Sequence, residues 1–266
     1  MAQSRARRAG GRELKLALDA AAGSAGGAIS GEVSGPAGAA TVSLLRVEQS
    51  PSGRFAFTVS SCRVDLRGPP ARFEVEVPGT LPPAVVGRRC RLDYVVRADC
   101  RPSRWTRRRA VSPVALTAGE RPVHEDPGRL DRVIPSNAAR RFHLDLVNAL
   151  LEGGGHLSGR VHWESEAPEG GFSVKVACEE AWCTNYRFRS RRSPLLWDAE
   201  QLWADTCTAT VEADRRWSPF RFEIPTTAPQ AVEGRVIAWR YTVEAVPAVH
   251  RTFAGRAVVT PLRFEV

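Results

Sequence analysis

Residues 73–98 read FEVEVPGTLPPAVVGRRCRLDYVVRA, and residues 220–245 read FRFEIPTTAPQAVEGRVIAWRYTVEA. At a constant offset of 147 residues, 12 of the 26 positions are identical, among them Pro78/Pro225, Pro82/Pro229, Gly87/Gly234 and Tyr94/Tyr241. A repeat of this length marks a duplicated folding unit. Phe73, Val75 and Val77 alternate with Glu74 and Glu76; Phe220, Phe222 and Ile224 alternate with Arg221 and Glu223. That period of two predicts a strand with one face on a core and one in water. Pro78 and Pro225 remove a backbone donor and end the pairing. After Gly87 and Gly234 the alternation resumes through Tyr94 and Tyr241, so each copy reads strand, turn, strand.

The upstream segments repeat at an offset of 128. Leu14, Leu16 and Leu18 fall on Phe142, Leu144 and Leu146, and GGAISGEV (26–33) falls on GGHLSGRV (154–161). The difference between the offsets places 19 extra residues inside the second copy. Strands are expected near 13–19, 28–34, 40–48, 54–60, 72–77, 89–98 and 109–116, with QSPSG (49–53) as a tight hairpin turn. About seven short strands per copy read as a sandwich.

The order of these pieces is a first strand, a Gly-rich turn, an (I/L)SG-x-V strand, a phenylalanine strand ending in a proline-rich turn, and a G-x-x-x-x-x-Y strand. It resembles the arrestin-like fold. Two such units in tandem resemble the two-domain arrangement of arrestins, α-arrestins, retromer-type cargo subunits and bacterial sporulation-control proteins. The resemblance spans about 13–116 and 141–266 and rests on order and duplication, since each motif is short; a tandem immunoglobulin-like sandwich is the competing reading. The expected fold class is therefore all-β: two tandem antiparallel sandwiches, with one short helix in an insert of the second. The expected boundaries are a disordered basic tail over 1–11, a first domain over 12–119, a linker over 120–139, and a second domain over 140–266 with its insert at 179–206. The family implies a non-catalytic adaptor that binds its partner through sheet edges and the interdomain cleft. The PPxY motifs that α-arrestins use are absent: Pro69-Pro70 precedes Ala71-Arg72, and Pro82-Pro83 precedes Ala84-Val85. A bacterial scaffold is thus the nearer comparison.

The 266 residues suffice for two domains, and each copy is long enough to bury a core. No apolar run reaches the ~18 residues of a membrane span. The basic N-terminus is followed by LKLALDAAAGSAGGA, which Asp19 interrupts. This reads as strand and turn in a cytoplasmic protein; a cleavable signal using 14–28 as its apolar part is the alternative. The formal net charge is +9. Residues 1–119 carry +10, residues 120–139 carry −1, and residues 140–266 are neutral. A basic first unit points to an anionic partner.

The densest basic run is RPSRWTRRR, where Arg101, Arg104, Arg107, Arg108 and Arg109 surround Trp105. It is expected in an exposed loop, where an acidic protein segment could dock; the bland alternative is a solvated loop whose Trp folds back on the sheet. The insert holds a second candidate. Ser193-Pro194 reads as a helix start, and Leu195, Leu196, Ala199, Leu202 and Trp203 recur at helical spacing. Arg189, Arg191 and Arg192 precede that helix, and Trp197 and Trp203 lie on it. Such a helix could face a partner groove or an anionic membrane, or it could cover an edge of its own sandwich.

No catalytic signature is legible: there is no G-x-S-x-G, no G-x-x-x-x-G-K-[ST] and no H-E-x-x-H. The histidines show no metal-ligand spacing. Cys62, Cys90, Cys100, Cys178, Cys183 and Cys207 include no C-x-x-C, so no metal and no cofactor is expected. Cys90 stands where the second copy has Ile237, the mark of a small buried hydrophobe. Sequence thus favours a cytoplasmic, non-enzymatic adaptor for an acidic or extended protein segment. A peripheral membrane or nucleic-acid binder working through the Arg/Trp run is the alternative.

Overall fold

Alternating apolar residues become paired strands along both copies of the repeat. The computed structural model describes residues 13–103, 106–117, 130–133, 142–149, 153–164, 169–188, 194–212, 214–248 and 255–259. The first copy contains β1 (Lys15–Leu18), β2 (Ala22–Ser24), β3 (Ala28–Ser34), β4 (Ala39–Ser50), β5 (Gly53–Asp65), β6 (Ala71–Glu76), β7 (Val85–Val86), β8 (Arg91–Ser103) and β9 (Thr106–Thr117). The second contains β10 (Leu130–Val133), β11 (Phe142–Ala149), β12 (His156–Trp163), β13 (Phe172–Cys183), β14 (Trp197–Ala209), β15 (Trp217–Glu223), β16 (Val232–Glu233), β17 (Ile237–Pro247) and β18 (Gly255–Val259). No described residue is helical.

Each copy builds one small and one large sheet in matching order. The small sheets run β1-β3-β6 and β11-β12-β15. The large ones run β2-β9-β8-β4-β5, with β7 beside β8, and β10-β18-β17-β13-β14, with β16 beside β17. Both small sheets and the β10-β18-β17-β13-β14 sheet are antiparallel, whereas β2 pairs with β9 in parallel. The small sheets share their register. Leu18 faces Gly31 and Gly31 faces Phe73; likewise Leu146 faces Gly159 and Gly159 faces Phe220. A Cβ on Gly31 would overlap the Ala17 carbonyl and come 2.9 Å from Phe73 Cζ; one on Gly159 would overlap the Asp145 carbonyl and come 2.5 Å from Phe220 Cζ. The (I/L)SG-x-V motif is therefore a packing rule, in which glycine makes room for the phenylalanine ring of the next strand. A second shared contact is the tyrosine. Tyr94 Oη donates to the Pro82 carbonyl at 2.8 Å, and Tyr241 Oη to the Pro229 carbonyl at 2.9 Å.

In the second copy the two sheets enclose a core of Leu157 and Val161 from β12, Val174 and Val176 from β13, Phe220 and Phe222 from β15, and Tyr241 and Val243 from β17. In the first copy Ile29 of β3 and Leu116 of β9 close over Gly23, whose Cβ would lie 3.3 and 3.4 Å from them.

The chain divides into two compact units: Met1–Val47, Ala56–Ala84 and Asp93–Glu120 form one, and Glu48–Phe55, Val85–Leu92 and Arg121–Val266 the other. Two turns of the first copy are thus built into the second unit, and buried carboxylates hold them there. Glu180, fully buried, accepts hydrogen bonds from the backbone N–H groups of Arg89 (2.8 Å) and Cys90 (3.0 Å) and from Trp239 Nε1 (3.1 Å). Glu48, also fully buried, accepts from the N–H groups of Arg235 (3.0 Å), Val236 (2.7 Å) and Ile237 (3.3 Å). The arrangement is reciprocal: a carboxylate on the strand next to the edge of each large sheet, β4 or β13, caps the turn that follows the repeated glycine of the other copy. Several N–H donors per carboxylate supply what burial would otherwise withhold.

Three expectations are corrected. The insert helix does not form over the described part of 179–206; β13 and β14 simply continue, pairing from Phe172↔Ala209 to Cys183↔Trp197. The hairpin end explains why. Thr184 N–H donates to the Leu196 carbonyl (2.8 Å), the Leu196 N–H donates to Asn185 Oδ1 (3.0 Å), and Asn185 Nδ2 donates to the Pro194 carbonyl (3.0 Å). Leu196 has therefore committed both backbone groups across the hairpin rather than along a helix. Second, RPSRWTRRR is mostly strand: Arg101–Ser103 end β8 and Thr106–Arg109 begin β9. Their alternation extends the hairpin pairing to Ser103↔Thr106. Third, Leu130–Val133, within the expected linker, forms β10 against β18.

Candidate functional site

The basic run lies at one end of the β8–β9 hairpin, and its geometry follows from strand periodicity. Arg97 and Asp99 are two residues apart on β8, Arg107 and Arg109 two apart on β9, and Asp99 sits directly opposite Arg109. Residues two apart share a face, so three guanidiniums converge on one carboxylate. Arg107 Nε lies 3.0 Å and Arg109 Nε 3.2 Å from Asp99 Oδ1. Arg97 Nε lies 2.7 Å from Oδ2 as an ion pair whose N–H is not aimed at the oxygen. Burial pushes the Asp99 carboxyl up, but the hydrogen bonds from Arg107 and Arg109 and the charge of Arg97 outweigh it and hold the group below its ordinary value. Arg101 is exposed two residues beyond Asp99, and Arg108, opposite Cys100, is exposed on the other face of the hairpin. Between Arg97 and Arg109 the two strands carry five arginines and one acid, a surplus of positive charge held in a defined geometry.

Of the residues singled out from sequence, Arg107 and Arg109 come together on Asp99, Arg101 is exposed at the same end of the hairpin, and Arg108 faces the other side. Arg104, Trp105, Arg189, Arg191 and Arg192 lie outside the described residues. The other two candidates are engaged within their own unit. Trp203 packs against the core of the second copy, and Arg240 stacks over Trp197 with its guanidinium carbon 4.9 Å from the ring centre. The sequence left open whether these rings face a partner or cover their own sandwich; on β14 both are half-buried. Sequence reasoning missed Arg97 and Asp99. The signal was present, since both continue the period-two pattern of β8 onto the face that Arg107 and Arg109 share.

The large sheet of the second copy ends on β14, and its edge is acidic and locally satisfied. Asp198 Oδ1 accepts from the Ala199 N–H (3.0 Å) and Asp205 Oδ1 from the Thr206 N–H (2.8 Å), while Glu200 pairs with Arg88 and Arg89. Charged residues that occupy edge donors discourage strand addition there. In the first unit, β5 from Ala56 to Ser61 carries no charged residue.

The cysteines are all free. Burial, followed by the charge of Glu180, pushes the Cys90 thiol up to about 12, and burial likewise pushes Cys178 up to about 12. Neither is a thiolate near neutrality, and both act as small apolar groups. Among the described residues no His/Cys/Asp/Glu cluster could hold a metal ion, and no helix is long and apolar enough to cross a membrane.

A scan against protein-family models finds no match, and a search of curated proteins finds none either. The functional reading therefore rests on the fold and on the charge geometry described above.

Proposed function

We propose that the chain is a non-catalytic cytoplasmic adaptor of arrestin-like architecture, of the bacterial kind, which binds an acidic, extended segment of a protein partner. The observation that carries this reading is the Asp99 cluster: Arg97, Arg107 and Arg109 share one carboxylate, with Arg101 exposed at the same end of the hairpin and Arg108 on its other face. One carboxylate cannot neutralise three guanidiniums, and strand pairing holds the surplus in place. Guanidiniums fixed in this way present fork-like donors suited to carboxylates. The uncharged stretch of β5 supports the same reading by offering an edge on which an extended segment could add as a strand.

The test is charge reversal at Arg101 and Arg108, exposed hairpin arginines that hold no partner among the described residues. The Arg101→Glu/Arg108→Glu protein should keep its stability and lose at least about tenfold in affinity for a Glu-rich peptide, with the native affinity falling as salt rises. Unchanged affinity would refute the reading. Preference for random duplex DNA with a steep salt slope, or for anionic vesicles over the peptide, would replace it with the nucleic-acid or membrane alternative.

A further inference from the structure

A second basic surface lies on the outer face of the β12–β15 pair, in the second unit. Outward positions of a sandwich strand are ordinarily small or polar. Here Trp217 and Pro219 supply an apolar floor beside Ser158, Arg160 and Arg221, which together line a shallow groove of about 430 Å³. Arg160 stacks on Trp217 with its guanidinium carbon 4.4 Å from the ring centre, and Arg215 lies 5.0 Å from the same ring. Arg215 pairs with Glu212 at 2.9 Å and Arg221 with Glu223 at 2.8 Å, while Asp145, opposite Arg160 on β11, lies 2.9 Å from His162 Nε2. Among the described residues Arg160 has no carboxylate partner. Stacking orients a guanidinium while leaving its in-plane N–H donors unspent.

Pro219 decides how a ligand would lie. It sits opposite Arg160 in the middle of β15, an edge strand of the small sheet. With β12 paired on the other side, the missing N–H falls on the open edge, which cannot be extended by an added strand there.

We propose that this groove receives an acidic peptide segment on the face of the sheet, with a carboxylate on Arg160 and an apolar neighbour against Trp217 and Pro219. The occupant follows from charge complementarity: no residue lining the groove is acidic, and the donor left over is the Arg160 guanidinium. The site does not depend on the β8–β9 hairpin, and the two fail separately.

The test uses the full chain and a short peptide of alternating Glu and Ala, with the Gln-for-Glu peptide as control. On titration the Trp217 indole ¹H–¹⁵N resonance, assigned by its loss in Trp217→Phe, should shift with the Glu peptide and not with the control. Arg160→Glu should weaken that titration about tenfold, and Arg160→Lys less. Arg101→Glu/Arg108→Glu should leave it unchanged. Because the indole shift is read on the native protein, an unstable variant does not obscure the result. An unmoved Trp217 resonance at saturating peptide, an Arg160→Glu affinity within about twofold of native, or a shift elicited by phosphatidylserine vesicles but not by peptide would overturn the proposal.

Discussion

An oxygen of Glu180 fills the space that a side chain on Gly87 would need. A Cβ built on Gly87 would overlap Glu180 Oε1 and lie 2.6 Å from Trp239 Nε1; one built on Gly234 would lie 2.7 Å from both Glu48 Oε2 and the Ile237 carbonyl. The two glycines identical between the repeats are therefore the same solution used twice, a gap through which a buried carboxylate reaches a turn. Neither requires a left-handed backbone, so the cost of substitution is steric. Gly87→Ala and Gly234→Ala should each destabilise the chain by about 1–3 kcal/mol, the range of overpacking in a tight interior. Urea unfolding should show the loss as a lower midpoint at unchanged slope.

The carboxylates can be tested independently of the glycines. Glu180→Ala would orphan two backbone N–H groups and the Trp239 indole N–H, and should cost at least about 1–3 kcal/mol, the price of a single buried donor left unmade. Glu180→Gln keeps one acceptor oxygen and should cost less. Glu48→Ala and Glu48→Gln should follow the same order. If alanine and glutamine variants unfold together, the hydrogen bonds do not hold the turns.

The tyrosine contacts predict matched effects in the two copies. Tyr94→Phe and Tyr241→Phe each remove the hydroxyl that reaches a proline carbonyl 12 residues earlier. Each should cost about 1 kcal/mol in denaturant unfolding. A neutral result at one position alone would mean that its carbonyl finds another donor.

Asp99 links stability to affinity. Its carboxyl is held below its ordinary value in the folded chain. Its contribution is therefore fully present above the unfolded pKa of about 3.9 and is lost as pH falls through the lower folded value. Asp99→Asn should be less stable at neutral pH and should lack that acid limb in a stability–pH profile. The same substitution removes the one acid between Arg97 and Arg109, so it should tighten binding of a Glu-rich peptide at low salt. A variant that loses both stability and affinity would assign Asp99 to positioning the arginines instead.

The fold was largely legible because its rules are local or repeated. The Phe73/Phe220 alternation, the Gly31/Gly159 spacing and the Pro82–Tyr94 interval each recur, and a duplicated pattern separates signal from composition. The β13–β14 hairpin was not legible: Leu195, Leu196, Ala199, Leu202 and Trp203 satisfy helical spacing, and only cross-strand partners such as Asn185, distant in sequence, decide for strand. The same limit hid the roles of Glu48 and Glu180, since a glutamate within an apolar strand gives no hint of donors some 90 or 190 residues away. At the site, period-two spacing was enough to gather Arg107 and Arg109. Their convergence on Asp99 required the β8–β9 register.

The proposal that an acidic segment docks on the β8–β9 hairpin is tested most directly by backbone amide mapping of the native chain titrated with a Glu-rich peptide. The amides of Cys100, Arg101 and Thr106–Arg109 should shift along a saturable curve that added salt displaces to higher peptide concentration. Amides that stay in place there while the peptide binds elsewhere, or no binding at any salt concentration, would contradict it.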